Sequence, residues 1–182
     1  MGWTAADGPV PEEKCIILGV PHTSMLDFLV SYLYYTGVGG HAKVMIKKDA
    51  FFWPLGPLMR SLGGVPVDRK KATGVVKSMV ENFNNAEHFQ LALSPEGTRK
   101  LIKKWKTGVH YMATQANIPV YLGFFDWGRK VVGRGEKYIL TGDVDADLAN
   151  IQKLYEGMKM TGRHPEQYCY NYNSDKNAPF EV

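Results

Sequence analysis

A chain of 182 residues that is 45% hydrophobic, 12% aromatic and 22% charged has the make-up of one packed domain, which excludes a disordered chain, a collagen-like fibre and a coiled coil. Its net charge of +4 conceals a division: residues 41–106 carry 13 Lys/Arg against 5 Asp/Glu, whereas the remainder carries 9 against 13. The basic middle suits an anionic partner (a phosphate, a nucleic acid or an acidic lipid surface) or a solvated lysine face.

In chain order, residues 1–13 read as a flexible arm, with neither the basic start nor the apolar core of a signal peptide. Cys15 to Val20 is a continuous apolar run closed by Pro21, consistent with a buried strand. Ser24 to Tyr35 predicts a helix that is apolar nearly all round and therefore well buried. Met25 to Tyr35 is only 11 residues long and is interrupted by Asp27 and Ser31, well short of the roughly 20 apolar residues of a spanning helix. A membrane partner would be one that the protein lies on. Strands are expected at His41 to Ile46 and Val65 to Val67. Val75, Val76, Met79, Val80 and Phe83 recur at helical spacing, and Gln90 to Leu93 reads as a strand running into Ser94-Pro95.

A helix near Gly108 to Ala116 and a strand at Val120 to Phe125 follow. A glycine-spaced hairpin is expected within 127–140, joining Lys130-Val-Val132 to Lys137-Tyr-Ile-Leu140, and the last helix carries Leu148, Ile151, Leu154, Tyr155 and Met158. In the tail, 163–182, Tyr168, Tyr170 and Tyr172 alternate with other residues, as in an edge strand or an ordered tail. The alternation of strands and helices predicts an α/β fold. It would be a single domain over 14–162, with a mixed, mostly parallel sheet flanked by helices. Two cysteines, Cys15 and Cys169, make no Cys-x-x-Cys pair and no disulfide framework, as in a reducing cytoplasmic compartment.

In such sheets ligands gather where strands end and helices begin. Two polar segments occupy that position. In the first, Pro21-His22-Thr23-Ser24-Met25-Leu26-Asp27, the histidine and aspartate are five residues apart. Five steps of an ideal helix turn about 500°, so they meet only if His22 precedes the helix and Asp27 sits in its first turn. An aspartate accepting the Nδ1 proton leaves Nε2 free to take a proton from a hydroxyl. Ser24-x-x-Asp27 reads equally as a capping box that starts the helix. In the second segment, Ser94-Pro95-Glu96-Gly97-Thr98-Arg99, Gly97 allows close backbone approach and Arg99 offers a planar fork for two phosphate oxygens; a turn carrying a surface ion pair has the same pattern. Gly63 to Arg69 ends another strand on an arginine, and Lys100, Lys103, Lys104 and Lys106 follow Arg99 with no acid between 97 and 106.

Taken together, His22-x-x-x-x-Asp27, Gly63 to Arg69, Glu96-Gly97-Thr98-Arg99 and Ile118-Pro119-Val120 resemble, in order, the four blocks of the glycerolipid acyltransferases, the family of 1-acylglycerol-3-phosphate acyltransferase. The resemblance spans residues 22–120 and implies a glycerol-3-phosphate acyltransferase-like fold. It also implies direct transfer of a fatty acyl group from a thioester, acyl-CoA or acyl-carrier protein, to the hydroxyl of a lysophospholipid. His22 would be the general base and Asp27 its orienting partner. Arg69, Glu96, Gly97, Thr98 and Arg99 would shape the acceptor site, and backbone amides near Gly97 are candidate oxyanion donors. No cofactor and no metal is implied, and no Gly-x-Ser-x-Gly elbow for an acyl-enzyme is present.

The sequence departs from the family pattern at Pro21, where Asn is frequent, at Ser94, where an aromatic residue is frequent, and at Lys100, where Ser is frequent. These departures bear on the acceptor, which could instead be a lyso-aminolipid or another glycolipid. They also bear on membrane contact, expected to be peripheral, at the inner face of the cell membrane. Phe51, Phe52 and Trp53, beside Lys47, Lys48 and Arg60, either dip into the lipid interface, line the acyl groove or belong to a core helix. A non-catalytic binder of anionic lipids is the alternative from another class. A nucleic-acid partner is not expected, because the lysine run lacks a recognition module. His41, His88, His110 and His164 have no acidic residue at matching spacing and read as surface or core filler.

Overall fold

A computed structural model describes residues 2–68 and 72–170; Arg69 and Tyr172 lie outside the described residues. The apolar run after the first turn forms β2 (Lys14–Leu18), the centre of the main sheet. On one side of it run β5 (Phe89–Leu93), β3 (Ala42–Lys47) and β4 (Gly64–Val67), all parallel. On the other, β6 (Val120–Tyr121) is parallel and β9 (Lys137–Tyr138) closes the edge antiparallel. The architecture is thus α/β with a mixed, mostly parallel sheet.

Side chains of β2 alternate between two layers, as the twofold period of a strand requires. Ile16 and Leu18 face the larger core with Leu91. There they meet Met79 and Phe83 of α3 (Ala72–Asn85), Val109 and Met112 of α4 (Gly108–Ala116), and Leu148, Ile151 and Tyr155 of α5 (Val144–Gly157). Cys15 and Ile17 face the opposite layer, packing with Tyr35 of α1 (Leu26–Gly37) and with Tyr121. Each large apolar side chain so buried contributes about 1.5–3 kcal/mol. The helix α1 is amphipathic rather than buried all round. Asp27, Val30 and Tyr35 are buried, whereas Met25, just ahead of it, and Leu29 and Leu33, at four-residue steps on one stripe, remain exposed.

Three further expectations are corrected. The run Val120 to Phe125 is two strands: β6 joins the main sheet, and after Leu122-Gly123 the chain enters β7 (Phe124–Asp126) in a second sheet. A Cβ at Gly123 would lie 2.3 Å from the Leu18 carbonyl oxygen, so only glycine permits this crossing. The 127–140 hairpin divides likewise: β8 (Val131–Gly133) pairs antiparallel with β7, and β9 pairs with β6. Nor is the opening segment a loose arm. β1 (Thr4–Ala5) pairs parallel with β8, Asp7 accepts from the Arg134 and Gly135 amides and from the Tyr34 hydroxyl, and Val10 is buried.

At the other end, a 3-10 turn (Pro165–Gln167) leads to a buried Tyr168, so this part of the tail is ordered without being a strand. Among the described residues no helix is long and apolar enough to cross a membrane.

Candidate active site

The chain leaves β2, passes Pro21, and enters α1 at Leu26 after a polar loop. Asp27, 1% exposed, turns its carboxylate back onto that loop. Oδ2 accepts from the Thr23 amide at 2.8 Å and the Ser24 amide at 2.7 Å, and lies 3.3 Å from His22 Nδ1. Ser24 Oγ in turn accepts from the Leu26 amide. The capping reading and the pairing reading therefore describe one carboxylate: by bonding the free amides ahead of the helix it folds the loop so that His22 lies against it. The second oxygen, Oδ1, accepts from the indole Nε1 of Trp127 at 2.8 Å.

The second segment leaves β5 beside the first. Glu96, 4% exposed, accepts at Oε2 from the His22 amide at 2.7 Å and from the Ser94 hydroxyl at 3.1 Å. Burial pushes its carboxyl up to about 7, against the two hydrogen bonds and the His22 charge, which hold it down; Asp27 adds to the rise. Its carboxylate is turned to the loop that carries His22, so it fixes that loop rather than reaching into the cavity.

Gly97 has φ +65°, a conformation that glycine adopts without strain. Its amide donates to the Ser94 carbonyl and the Lys106 amide to the Pro95 carbonyl. The Gly97 amide is thus engaged in the turn, which leaves it out of the set of amides near Gly97 that could donate to an oxyanion. The Lys106 stem packs against Gly97, with Cγ 3.1 Å from where a Cβ would sit.

A cavity of about 1080 Å3 opens at these strand ends, lined by His22, Asp27, Gly97, Thr98, Arg99 and Lys106. Its volume matches or exceeds the roughly 300–1,000 Å3 of ordinary small-molecule sites. Its deeper walls are largely apolar, with Phe28, Val44, Met45, Ala92, Val76 and Met112 among them. The lining thus sets apolar surface beside the exposed cations Arg99 and Lys106 and the His22–Asp27 pair. Among the described residues no group of three or more His, Cys, Asp or Glu is placed to hold a metal ion.

Of the residues singled out by sequence, His22, Asp27, Glu96, Gly97, Thr98 and Arg99 come together; Arg69 lies outside the described residues. Phe52 and Trp53 are 58% and 86% exposed in the loop before α2 (Leu55–Ser61), and Phe51 is half-buried under Arg60. The core-helix alternative for this segment is therefore corrected, and its aromatics are not among the cavity-lining residues.

Sequence reasoning missed Lys106 as a lining residue, although the lysine run pointed to it, and missed Trp127 altogether, which stands 100 positions from Asp27. His110 belongs to the core, as expected, and its acidic partner stands far along the chain: its Nε2 lies 2.9 Å from Asp147, both fully buried. Asp147 also accepts from the Thr141 amide and hydroxyl and from the Tyr138 hydroxyl, so the cluster ties α4, α5 and β9 together away from the cavity.

Fold and site define a class: an α/β protein with a His–Asp pair at the carboxyl ends of parallel strands, opening on an apolar cavity with a cationic rim. Compared with known families, the chain matches the model described as Acyltransferase over residues 7–121, more than half its length. It belongs to that family, the glycerolipid acyltransferases. No curated protein and no solved structure matches it in the same comparisons.

Proposed function

We propose that this chain moves a fatty acyl group from a thioester, acyl-CoA or acyl-carrier protein, to the hydroxyl of a lysophospholipid such as 1-acylglycerol-3-phosphate, without an acyl-enzyme. Family membership supplies the general activity, acyl transfer. The observation that carries the finer reading is His22 Nδ1 at 3.3 Å from Asp27 Oδ2 on the wall of the large cavity. With Nδ1–H donated to the carboxylate, Nε2 takes the proton of the acceptor hydroxyl as its oxygen attacks the thioester carbonyl. The tetrahedral intermediate then collapses, the C–S bond breaks, and the imidazolium returns its proton to the departing thiolate. A thioester is already activated, so positioning and one proton shuttle are the main requirements.

Arg99 and Lys106 on the cavity wall suit the phosphate of the acceptor, with Arg69, Thr98 and Gly97 completing that site and Glu96 bracing it from behind. The protein works peripherally at the inner face of the membrane, where its lipid substrates reside, and requires neither cofactor nor metal.

Thiol release should be measured with acyl-CoA and acyl-carrier donors against lysophosphatidate, lyso-aminolipid and glycolipid acceptors, for the parent, His22→Ala and Asp27→Asn. Loss of a general base predicts a rate about 100- to 10,000-fold lower in His22→Ala, with acceptor binding retained. Full activity in both variants would overturn the mechanism. A protein that binds anionic lipid equally well before and after His22→Ala, and never turns over, would instead be a lipid-binding module.

A further inference from the structure

The backbone amides and His22 all engage one oxygen of Asp27. The other oxygen, equally buried, has the Trp127 indole as its donor at 2.8 Å. A carboxylate rotates easily about its last bond, and an oxygen left buried without a donor is destabilising. An indole N–H can only donate, so its contact on Oδ1, opposite the two amides on Oδ2, completes the set of donors that fixes which way the carboxylate faces.

The indole is itself held on several sides. Its loop is set by Asp126, fully buried, which accepts from the Gly128 amide at 2.8 Å and the Thr161 amide at 3.2 Å and pairs with Arg129 at 2.6 Å. The Trp127 amide donates to the Thr161 carbonyl. Arg163 lies over its ring at 4.9 Å, and Trp3 meets it edge-on at 5.0 Å. A ring so confined has little freedom left to lose when the reaction begins.

We propose that Trp127 is a positioning residue for the His22–Asp27 pair: its N–H locks Asp27 so that Oδ2 stays opposite His22 Nδ1 and holds the imidazole in the tautomer with Nε2 free. The segments that clamp it, Trp3 just ahead of the opening strand and Arg163 after α5, thereby connect the two ends of the described chain to the site. The catalytic consequence rests on the acyl-transfer reading above; the orienting contact does not.

Trp127→Phe removes the N–H and keeps a ring for Trp3 and Arg163. Two measurements test the proposal. Nitrogen NMR of the His22 ring should show the Nδ1-protonated tautomer in the parent and averaging between tautomers in Trp127→Phe, with the indole signals of Trp53 and Trp105 unmoved as a control of fold. In thiol-release kinetics kcat should fall about tenfold while the acceptor KM stays within about twofold, and Asp27→Asn combined with Trp127→Phe should be no slower than Asp27→Asn alone, because Trp127 acts only through Asp27. An unchanged His22 tautomer in Trp127→Phe would overturn the proposal, as would independent, multiplying losses in the double variant. A parent that transfers no acyl group defeats the proposed function instead, and the ring spectrum still decides whether Trp127 orients the pair.

Discussion

At the scale of single residues, Glu96 shows how one side chain can serve the site without facing it. Burial lifts its carboxyl from an ordinary 4.5 to about 7, so the folded state binds a proton that the unfolded chain has already released. Stability from this group is fully present below pH 4.5 and is lost as pH rises through about 7. Glu96→Gln keeps an oxygen to accept from the His22 amide and removes the titration. Urea denaturation at pH 5 and pH 8 should therefore show the variant gaining on the parent as pH rises; a stability difference that stays flat between the two would mean that Glu96 titrates as an exposed carboxylate.

Among the elements, α3 is the clearest case of a sequence period becoming a packed face. Met79 and Phe83 are both almost fully buried, and Phe83 meets Phe89 of β5 edge-to-face at 4.8 Å. Since β5 runs straight into the Glu96 segment, this contact also seats the second motif. Phe83→Ala should destabilise by about 3–5 kcal/mol through lost burial and the cavity it leaves. The expected readout is a lower urea midpoint at unchanged slope; a shift corresponding to less than 1 kcal/mol would show that the site collapses to fill the space.

For α1 the outcome differs, because an apolar period identifies a face without saying what covers it. Its inner face packs on Tyr121, Phe125 and Val132; its outer stripe of Leu29 and Leu33 remains bare.

Over the whole molecule, the uncovered apolar residues become informative. Phe52, Trp53, Leu55 and Leu58 are exposed around α2, with Lys47, Lys48 and Arg60 nearby in sequence, the combination that lies into an anionic lipid interface. Phe52→Asp with Trp53→Asp removes contacts that contribute little to folding, given how exposed both rings are. Co-sedimentation with vesicles containing anionic lipid should be lost in this variant, whereas the circular dichroism spectrum is retained. Binding as strong as the parent's would eliminate this loop as a lipid contact.

What could be read along the chain was what lies close along it. The five-residue step from His22 to Asp27, the tetrapeptide Glu96 to Arg99 and the 3.6-residue period of α3 each encode their geometry within one or two turns of chain, where bond lengths and sterics leave few options. These sufficed for the α/β class, for most elements and for the residues that the fold gathers at the candidate site. Tertiary packing alone decided the rest: that β8 and β9 join different sheets, that the opening residues dock as a strand, that His110 meets Asp147, and that Trp127 reaches Asp27. The last three join residues far apart in sequence, and all are selected by which buried donors and apolar faces remain to be satisfied once the whole chain has condensed.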